Sequence, residues 1–183
     1  SVSTQKGGIR GEVVVVNSFE ALEKIKRKVR GKIVLYNVPF TNYGETVRYR
    51  YDGPNIAAKY GAIASLIRSV GNGLMNTPHT GTMGEYKSFK KIPHAAITAE
   101  DAMMIDRIYK RGNRVVLNLK MEAKFVEDRW SRNVLGELRG STHPEEVVVL
   151  GGHIDSWDVG QGAHDDAGGC VAAWRAVTLI KEL

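Results

Sequence analysis

The sequence predicts an α/β protein, and three observations support this prediction. Short apolar or β-branched runs alternate with segments of helical spacing through the first two thirds of the chain. A further apolar run then leads through a glycine-rich loop into a final helix. The chain has 183 residues, 43% hydrophobic and 25% charged, enough for one large domain or for one small domain and part of another. The same composition excludes a disordered tail, a collagen-like fibre and a coiled coil.

Five strands are predicted in the first 120 residues, at 13–16, 32–37, 62–67, 92–97 and 114–120. A helix is expected to begin after Ser18 and to end at Gly31, and a short one to pass through residues 57–60. Thr98, followed three residues later by Asp101, predicts the start of a third helix that ends at Gly112. Segments 39–53 and 71–91 are rich in turn-forming and polar residues and are predicted to be loops.

This order of elements resembles a protease-associated domain, a non-catalytic β/α insert of several peptidases and sorting receptors. The matching features are Arg-Gly-Lys-Ile-Val-Leu at 30–35, Ala-Ala-Lys-Tyr-Gly-Ala at 57–62, and Ile-Pro at 92–93 before a strand and a helix. The resemblance implies a module at 1–122 with no reaction of its own. We interpret its isolated His79 and His94 as polar surface or core-edge residues rather than as metal ligands.

The chain is basic, with 26 Lys and Arg against 20 Asp and Glu and a formal net charge of +6. Its best nucleic-acid candidate is the cationic face of the first helix, which comprises Lys24, Lys26, Arg27, Lys28 and Arg30. Because no aromatic or glycine-rich partner accompanies these residues, a solvated helix face is the favoured interpretation and no nucleic-acid partner is expected.

Membrane and disulfide classes are also disfavoured. No segment comes near the roughly 18 to 20 uncharged apolar residues that a bilayer span requires, so no membrane span is expected. The N-terminal residues lack the basic-then-apolar pattern of a signal peptide, although a processed or excised chain would look the same. A single cysteine, Cys170, excludes an internal disulfide framework, and we expect it to be a small buried residue on a helix.

The densest acidic cluster of this basic chain lies near its end. Residues 153–166 contain two histidines and four aspartates but no lysine or arginine. Crowded carboxylates need cations, protons or full solvation, and imidazole and carboxylate ligands suit Zn²⁺, Mn²⁺ or a related divalent ion. The cluster occupies a glycine-rich loop between a predicted strand and a predicted helix, which is where open α/β folds place their sites.

The spacing within this loop favours a metal centre. His153 and Asp155 leave the same side of an extended segment, so one can ligate a metal while the other holds the second imidazole nitrogen. Asp165 is expected at the start of the final helix, after Gly162 has let the loop reverse. A carboxylate there could bridge two ions, which binuclear hydrolases hold roughly 3.5 to 4 Å apart to activate water and stabilise an oxyanion.

Two segments carry a specific family resemblance. Gly-Gly-His-Ile-Asp-Ser-Trp-Asp at 151–158 and Gly-Gln-Gly-Ala-His-Asp-Asp-Ala-Gly-Gly at 160–169 resemble the first two metal motifs of the M28 family of co-catalytic zinc peptidases. The resemblance implies that His153 is a zinc ligand, that Asp155 is its catalytic orienting partner, and that Asp165 bridges two Zn²⁺ ions. It also implies a cis peptide between Asp165 and Asp166, whereas His164 and Asp158 are not expected to be ligands. The upstream module narrows the resemblance to one branch of the family.

The same resemblance implies that part of the machinery is missing. In the family a Glu-Glu pair, an Asp and a His follow the bridging Asp, and no Glu-Glu follows Asp165 here. Residues 123–183 are therefore expected to be the truncated N-terminal part of the catalytic domain, with a phosphorylase/hydrolase-like α/β fold and strands at 133–140 and 145–150. The whole protein is expected to be an exopeptidase or dipeptidase acting on dipeptides or short peptides, and the fragment alone to be inactive.

An alternative remains open. In this alternative the chain is a non-catalytic interaction module or belongs to a pseudoenzyme, and the acidic loop is the remnant of a metal site. The presence of downstream Glu-Glu, Asp and His residues in the full-length protein would exclude it. Aminopeptidase, dipeptidase and carboxypeptidase action are not distinguished. The family resemblance implies secretion or lysosomal residence and allows a homodimer of the full-length protein.

Overall fold

The structure, a computed structural model, describes residues 1–86, 89–157 and 160–183. The chain folds as two compact units, Ser1–Glu127 and Asp128–Leu183. Within the described residues, no helix is both long and apolar enough to cross a membrane.

The unit Ser1–Glu127 is built on a sheet of five strands. These are β1 (Ile9–Val16), β2 (Ile33–Tyr36), β3 (Ala64–Arg68), β4 (His94–Ile97) and β5 (Val116–Leu119). Their order across the sheet is β4-β3-β2-β1-β5; the first four are mutually parallel and β5 is antiparallel to β1. The α/β class and the five strands predicted for this region are confirmed.

Helices cover both faces of this sheet. They are α1 (Phe19–Lys24), α2 (Tyr43–Thr46), α3 (Arg48–Tyr51), α4 (Gly53–Lys59) and α5 (Ala99–Lys110), and a 3-10 turn at Lys26–Lys28 follows α1. Both predicted caps are present: Ser18 Oγ accepts from the Ala21 N–H and Thr98 Oγ1 from the Asp101 N–H, each at 3.0 Å. The regular helix α1 ends at Lys24, earlier than the predicted stop at Gly31.

Strand periodicity divides the core into two layers. Val14, Val34 and Tyr36 face the side covered by α1 and α4 and pack with Leu22 and Ala57. Their neighbours in sequence face the opposite side and pack with α5, in a cluster that comprises Val13, Ile33, Leu35, Ala64, Leu66, Ala102, Ile105 and Val115. The sheet is therefore buried on both faces, which explains why its strands are nearly continuous apolar runs.

The segment predicted as a loop at 39–53 is instead largely helical, so that prediction was wrong. Asn42 Oδ1 accepts from the Glu45 N–H at 2.9 Å and begins α2. Arg50 on α3 is buried, and its guanidinium donates to the carbonyls of Thr80 and Thr82 and to the Tyr43 hydroxyl, at 3.0, 3.2 and 2.8 Å. The contacts of Arg50 with Thr80 and Thr82 join residues far apart in sequence and hold the helical segment in place. The turn propensity of residues 39–53 could not indicate them.

The unit Asp128–Leu183 has one long helix, α6 (Gly169–Glu182), preceded by a wide helical turn at Ala163–Gly168. The strands predicted at 133–140 and 145–150 are absent from the described residues of this unit, so that part of the fold prediction is corrected. An extended segment becomes a strand only by hydrogen bonding to a neighbour, and these segments pair with none among the described residues.

Candidate metal centre

The structure brings the three predicted site residues together around one imidazole ring. The Nε2 atom of His153 lies 2.9 Å from Asp165 Oδ1. Its Nδ1 atom lies 2.9 Å from the backbone oxygen of Asp155 and 3.2 Å from Asp155 Oδ1. Asp165 and Asp155 thus contact different nitrogens of the ring. In metal sites, one imidazole nitrogen binds the metal beside a second ligand, and the other nitrogen is held by an orienting group.

The surroundings of the ring favour positive charge. The backbone oxygen of Asp155 raises the pKa of His153 above its usual value, partial desolvation opposes this shift, and the Asp165, Asp155 and Asp166 carboxylates reinforce it. A divalent cation would be attracted by the same carboxylates. All three predicted residues are accessible, with 52% of the His153 side chain and 70% of the Asp165 side chain exposed.

Asp166 has a role that the sequence reasoning missed. Its Oδ2 atom accepts from the His153 backbone N–H at 3.0 Å, and its Oδ1 atom accepts from the Gly169 N–H at 3.1 Å. One carboxylate therefore ties the segment carrying His153 to the first residue of α6. The signal was present in the three-residue spacing between Asp166 and Gly169, which is typical of a side chain that caps a helix.

Two glycines permit this arrangement. Gly162 has φ +68°, so the predicted reversal of the loop is confirmed. A Cβ atom on Gly152 would lie 2.6 Å from the backbone nitrogen of Cys170 and 2.8 Å from Asp166 Oδ2, closer than either contact allows. Only a residue without a side chain lets the two segments approach in this way.

The start of the helix differs from the prediction. Asp165 and Asp166, joined by a cis peptide bond as the resemblance implies, have non-helical backbone angles. Regular helix begins at Gly169, so Asp165 precedes α6 rather than lying in its first turn.

The structure differs in what it shows of the other candidates in this region. His164 is exposed, and Asp158 lies outside the described residues. Cys170 lies on a helix as predicted but is only partly buried rather than buried, and its thiol donates to the His153 carbonyl at 3.3 Å. A separate exposed group, His143, Glu145 and Glu146, holds its potential ligand atoms within 4.8 Å of one another.

The donor set around His153 fits zinc. An imidazole nitrogen and a carboxylate oxygen are zinc ligands, and the second imidazole nitrogen already has an oxygen partner that would orient the ring. His153 and Asp165 are thus the residues of this loop that could hold the metal.

Comparison with known proteins identifies the class. Residues 133–183 match Peptidase family M28. Over all 183 residues the chain is 51% identical to carboxypeptidase Q of Bos taurus. This similarity confirms the expected resemblance to one branch of the M28 family, that of carboxypeptidase Q. The chain spans 39% of the length of that relative.

More distant relatives agree with this class. A "Probable leucine aminopeptidase 2" of Aspergillus fumigatus is 32% identical over 117 residues, which are 64% of this chain and 22% of that protein. The crystal structure of a peptidase M28 precursor from Shewanella amazonensis SB2B matches with a TM-score of 0.84 and 33% identity, covering 91% of this chain and 39% of that one.

Proposed function

We propose that this chain is part of a zinc-dependent metallopeptidase, an exopeptidase or dipeptidase that hydrolyses dipeptides or short peptides. In this proposal residues 151–169 supply the first ligands of a two-zinc centre. The observation that carries it is the 2.9 Å approach of His153 Nε2 to Asp165 Oδ1, with the other ring nitrogen held by Asp155. Similarity to carboxypeptidase Q supports the peptidase activity.

Each residue has a distinct task in this proposal. The backbone oxygen of Asp155 accepts a hydrogen bond from the His153 Nδ1–H, which fixes the tautomer and leaves the Nε2 lone pair available to the metal. Asp165 offers two carboxylate oxygens, one directed at Nε2 and one available to a second ion. Asp166 holds the two ligand-bearing segments in register through their backbone N–H groups. Zinc, when bound, supplies a Lewis acid and an activated water.

The proposal extends to the whole protein. Residues 1–122 would be the non-catalytic protease-associated module, and residues 123–183 the beginning of the catalytic domain. The full-length protein would be secreted or lysosomal and could form a homodimer; cell fractionation and sedimentation of that protein test both statements.

Zinc competition with a fluorescent chelator tests the ligand assignment. His153→Ala and Asp165→Asn should each lower the zinc affinity of the chain at least about tenfold, because each removes a ligand atom. Asp155→Asn should have a smaller effect, because the backbone oxygen of Asp155, 2.9 Å from His153 Nδ1, still orients the ring. His143→Ala is the matched control, since it removes an exposed histidine of the separate His143 group. An affinity that falls only with His143→Ala would refute the assignment.

A second experiment concerns catalysis by the chain itself. The described carboxylates around His153 are engaged with the ring or with backbone N–H groups, and none is left as a separate general base. We therefore expect weak zinc binding and no measurable hydrolysis of dipeptides. Efficient turnover that depends on added zinc and disappears in His153→Ala would contradict this expectation.

A further inference from the structure

A groove of about 910 Å³ is lined by residues of the unit Ser1–Glu127. Its walls come from the segment before β1 and the first residues of that strand, from Arg30 before β2, from the end of α4 and the turn before β3, and from the segment that leads into β4. Because β1 to β4 are parallel, these segments all meet at the amino-terminal edge of the sheet. Its volume is typical of a binding site rather than of a packing defect.

The charge of this groove has one sign. Five of its lining residues are cationic: Arg10, Arg30, Lys59, Lys90 and Lys91. No Asp or Glu occurs among the described residues that line it, and none of the five cations forms an ion pair with another described residue. By contrast, Lys32, just before β2, is neutralised by Glu12 at 2.8 Å. Uncompensated cations on a concave surface concentrate positive potential and attract an anion.

Two of the cations are positioned by aromatic rings. The Lys59 ammonium lies 5.6 Å from the centre of the Tyr60 ring, and the Lys91 ammonium lies 5.8 Å from that of Tyr86. Such contacts hold a lysine in place without neutralising its charge.

The wall between the cations is apolar. Ile9, Ala58 and Ile63 are half-buried, and Ile92 and Pro93 are buried. A ligand that places anionic groups on the cations could therefore bury aliphatic side chains between them.

From this combination we propose that the groove binds an acidic segment of a partner protein in which Asp or Glu residues are interspersed with aliphatic ones. The carboxylates would contact the five cations, and the aliphatic side chains would cover the Ile9–Ile63 wall. This site is separate from the proposed peptidase activity and does not depend on it.

Other polyanions fit the groove less well. Tyr60 is the aromatic residue among its described lining, and its ring already carries Lys59, so there is no free platform on which a nucleic-acid base could stack. A sulfated saccharide has no aliphatic side chains to bury against Ile9 and Ile63.

Fluorescence anisotropy of a labelled peptide with alternating Glu and Leu residues tests the proposal on the full chain. A peptide with Gln in place of each Glu, a heparin oligosaccharide and a single-stranded DNA serve as comparison ligands. Lys59→Glu with Lys91→Glu reverses two exposed groove charges. As the α1 double variant, Lys24→Glu with Lys28→Glu makes the same change of net charge at exposed positions at the end of α1 and in the 3-10 turn that follows it, outside the groove.

The expected result is that the Glu-Leu peptide binds and the Gln-Leu peptide does not. The groove double variant should weaken binding at least about tenfold, and the α1 double variant less than about threefold. Far-UV circular dichroism of both variants verifies that they are folded. The proposal is overturned by equal losses in the two variants, by equal binding of the Gln-Leu peptide, by the absence of binding, or by tighter groove-dependent binding of heparin or DNA than of the peptide.

Discussion

The two units of this chain are stabilised in different ways. In Ser1–Glu127, Leu22, Ile33 and Leu35 are 0% exposed and come from elements far apart in sequence. In Asp128–Leu183 none of the described residues is buried, and Trp130 and Leu135 are 96% and 91% exposed. A fully buried aliphatic side chain contributes about 1.5 to 3 kcal/mol, so the first unit has a source of stability that the second lacks.

The unit without buried residues among those described nevertheless carries the candidate metal site. Its geometry rests on hydrogen bonds among His153, Asp155, Asp165, Asp166 and Gly169, which lie close together in sequence. Each such bond contributes only about 0.5 to 1.5 kcal/mol, and less where water competes. The comparison teaches that a motif can hold its local geometry where the fold around it contributes little burial.

A matched pair of leucine substitutions should give the largest contrast between the units. Leu35→Ala should lower the free energy of unfolding by about 2 to 5 kcal/mol, because it leaves a cavity in the layer under α5. Leu135→Ala, at an exposed position, should change it by less than about 0.5 kcal/mol. Urea unfolding followed by far-UV circular dichroism measures both, and a comparable loss for Leu135→Ala would mean that the second unit is packed.

Acid should destabilise the first unit through His94. Burial lowers the pKa of His94 to about 4; hydrogen bonding with Ser65 and Arg50 opposes this shift, and the positive charge of Arg50 reinforces it. In the unfolded chain histidine has a pKa of about 6.5, so the unfolded chain binds the proton at a higher pH than the folded chain does. The contribution of neutral His94 to the free energy of unfolding is complete above about pH 6.5. Roughly 3 kcal/mol of it is lost as the pH falls from there to about 4.

Unfolding free energies measured across this pH range check the effect. His94→Gln should flatten the pH dependence, whereas His143→Gln, which removes an exposed histidine, should leave it as in the unchanged chain. Parallel curves for His94→Gln and the unchanged chain would exclude His94 as the cause.

In the second unit, a substitution that strains the backbone at Gly162 should have a larger effect than one at an unstrained glycine. Gly162→Ala places a Cβ on a residue with φ +68°, 2.7 Å from Ser156 Cβ, and should cost about 1 to 2 kcal/mol. If the metal site is as proposed, zinc affinity should fall about tenfold. Gly140→Ala, where a Cβ meets nothing within 4 Å, is the control and should leave the affinity unchanged.

A helix cap should give the smallest effect. Thr98 Oγ1 accepts from the Asp101 N–H at 3.0 Å, so Thr98→Ala should destabilise the first unit by about 1 kcal/mol. Thr98→Ser keeps the acceptor and should restore most of the loss in the same urea experiment. A loss in Thr98→Ser as large as in Thr98→Ala would assign the effect to the Thr98 methyl group.

Much of the first unit could be predicted from its sequence because the relevant signals are local. The apolar runs at 13–16 and 32–37 indicated the strands β1 and β2, and Ser18 and Thr98 marked two helix starts. In the helices at 43–51, the local cap of Asn42 on Glu45 was overlooked, and the contacts of Arg50 with Thr80 and Thr82 have no local signal.

The candidate site was partly predictable for a similar reason. The period of two brought His153 and Asp155 to one side, and the family resemblance supplied Asp165 as their partner. The bond from Asp166 to the His153 backbone depends on the approach of two segments at Gly152, which the sequence does not display.

The sequence by itself determined the residue types and spacings: apolar alternation, helix caps, and an imidazole and carboxylates in one glycine-rich loop. The tertiary structure alone decided which strands pair, that the segments at 133–140 and 145–150 remain unpaired among the described residues, and that five cations from separate segments line one groove. The physical reason is range. Periodicity and capping act within a few residues, whereas strand pairing and the convergence of charge depend on contacts between residues far apart in the chain.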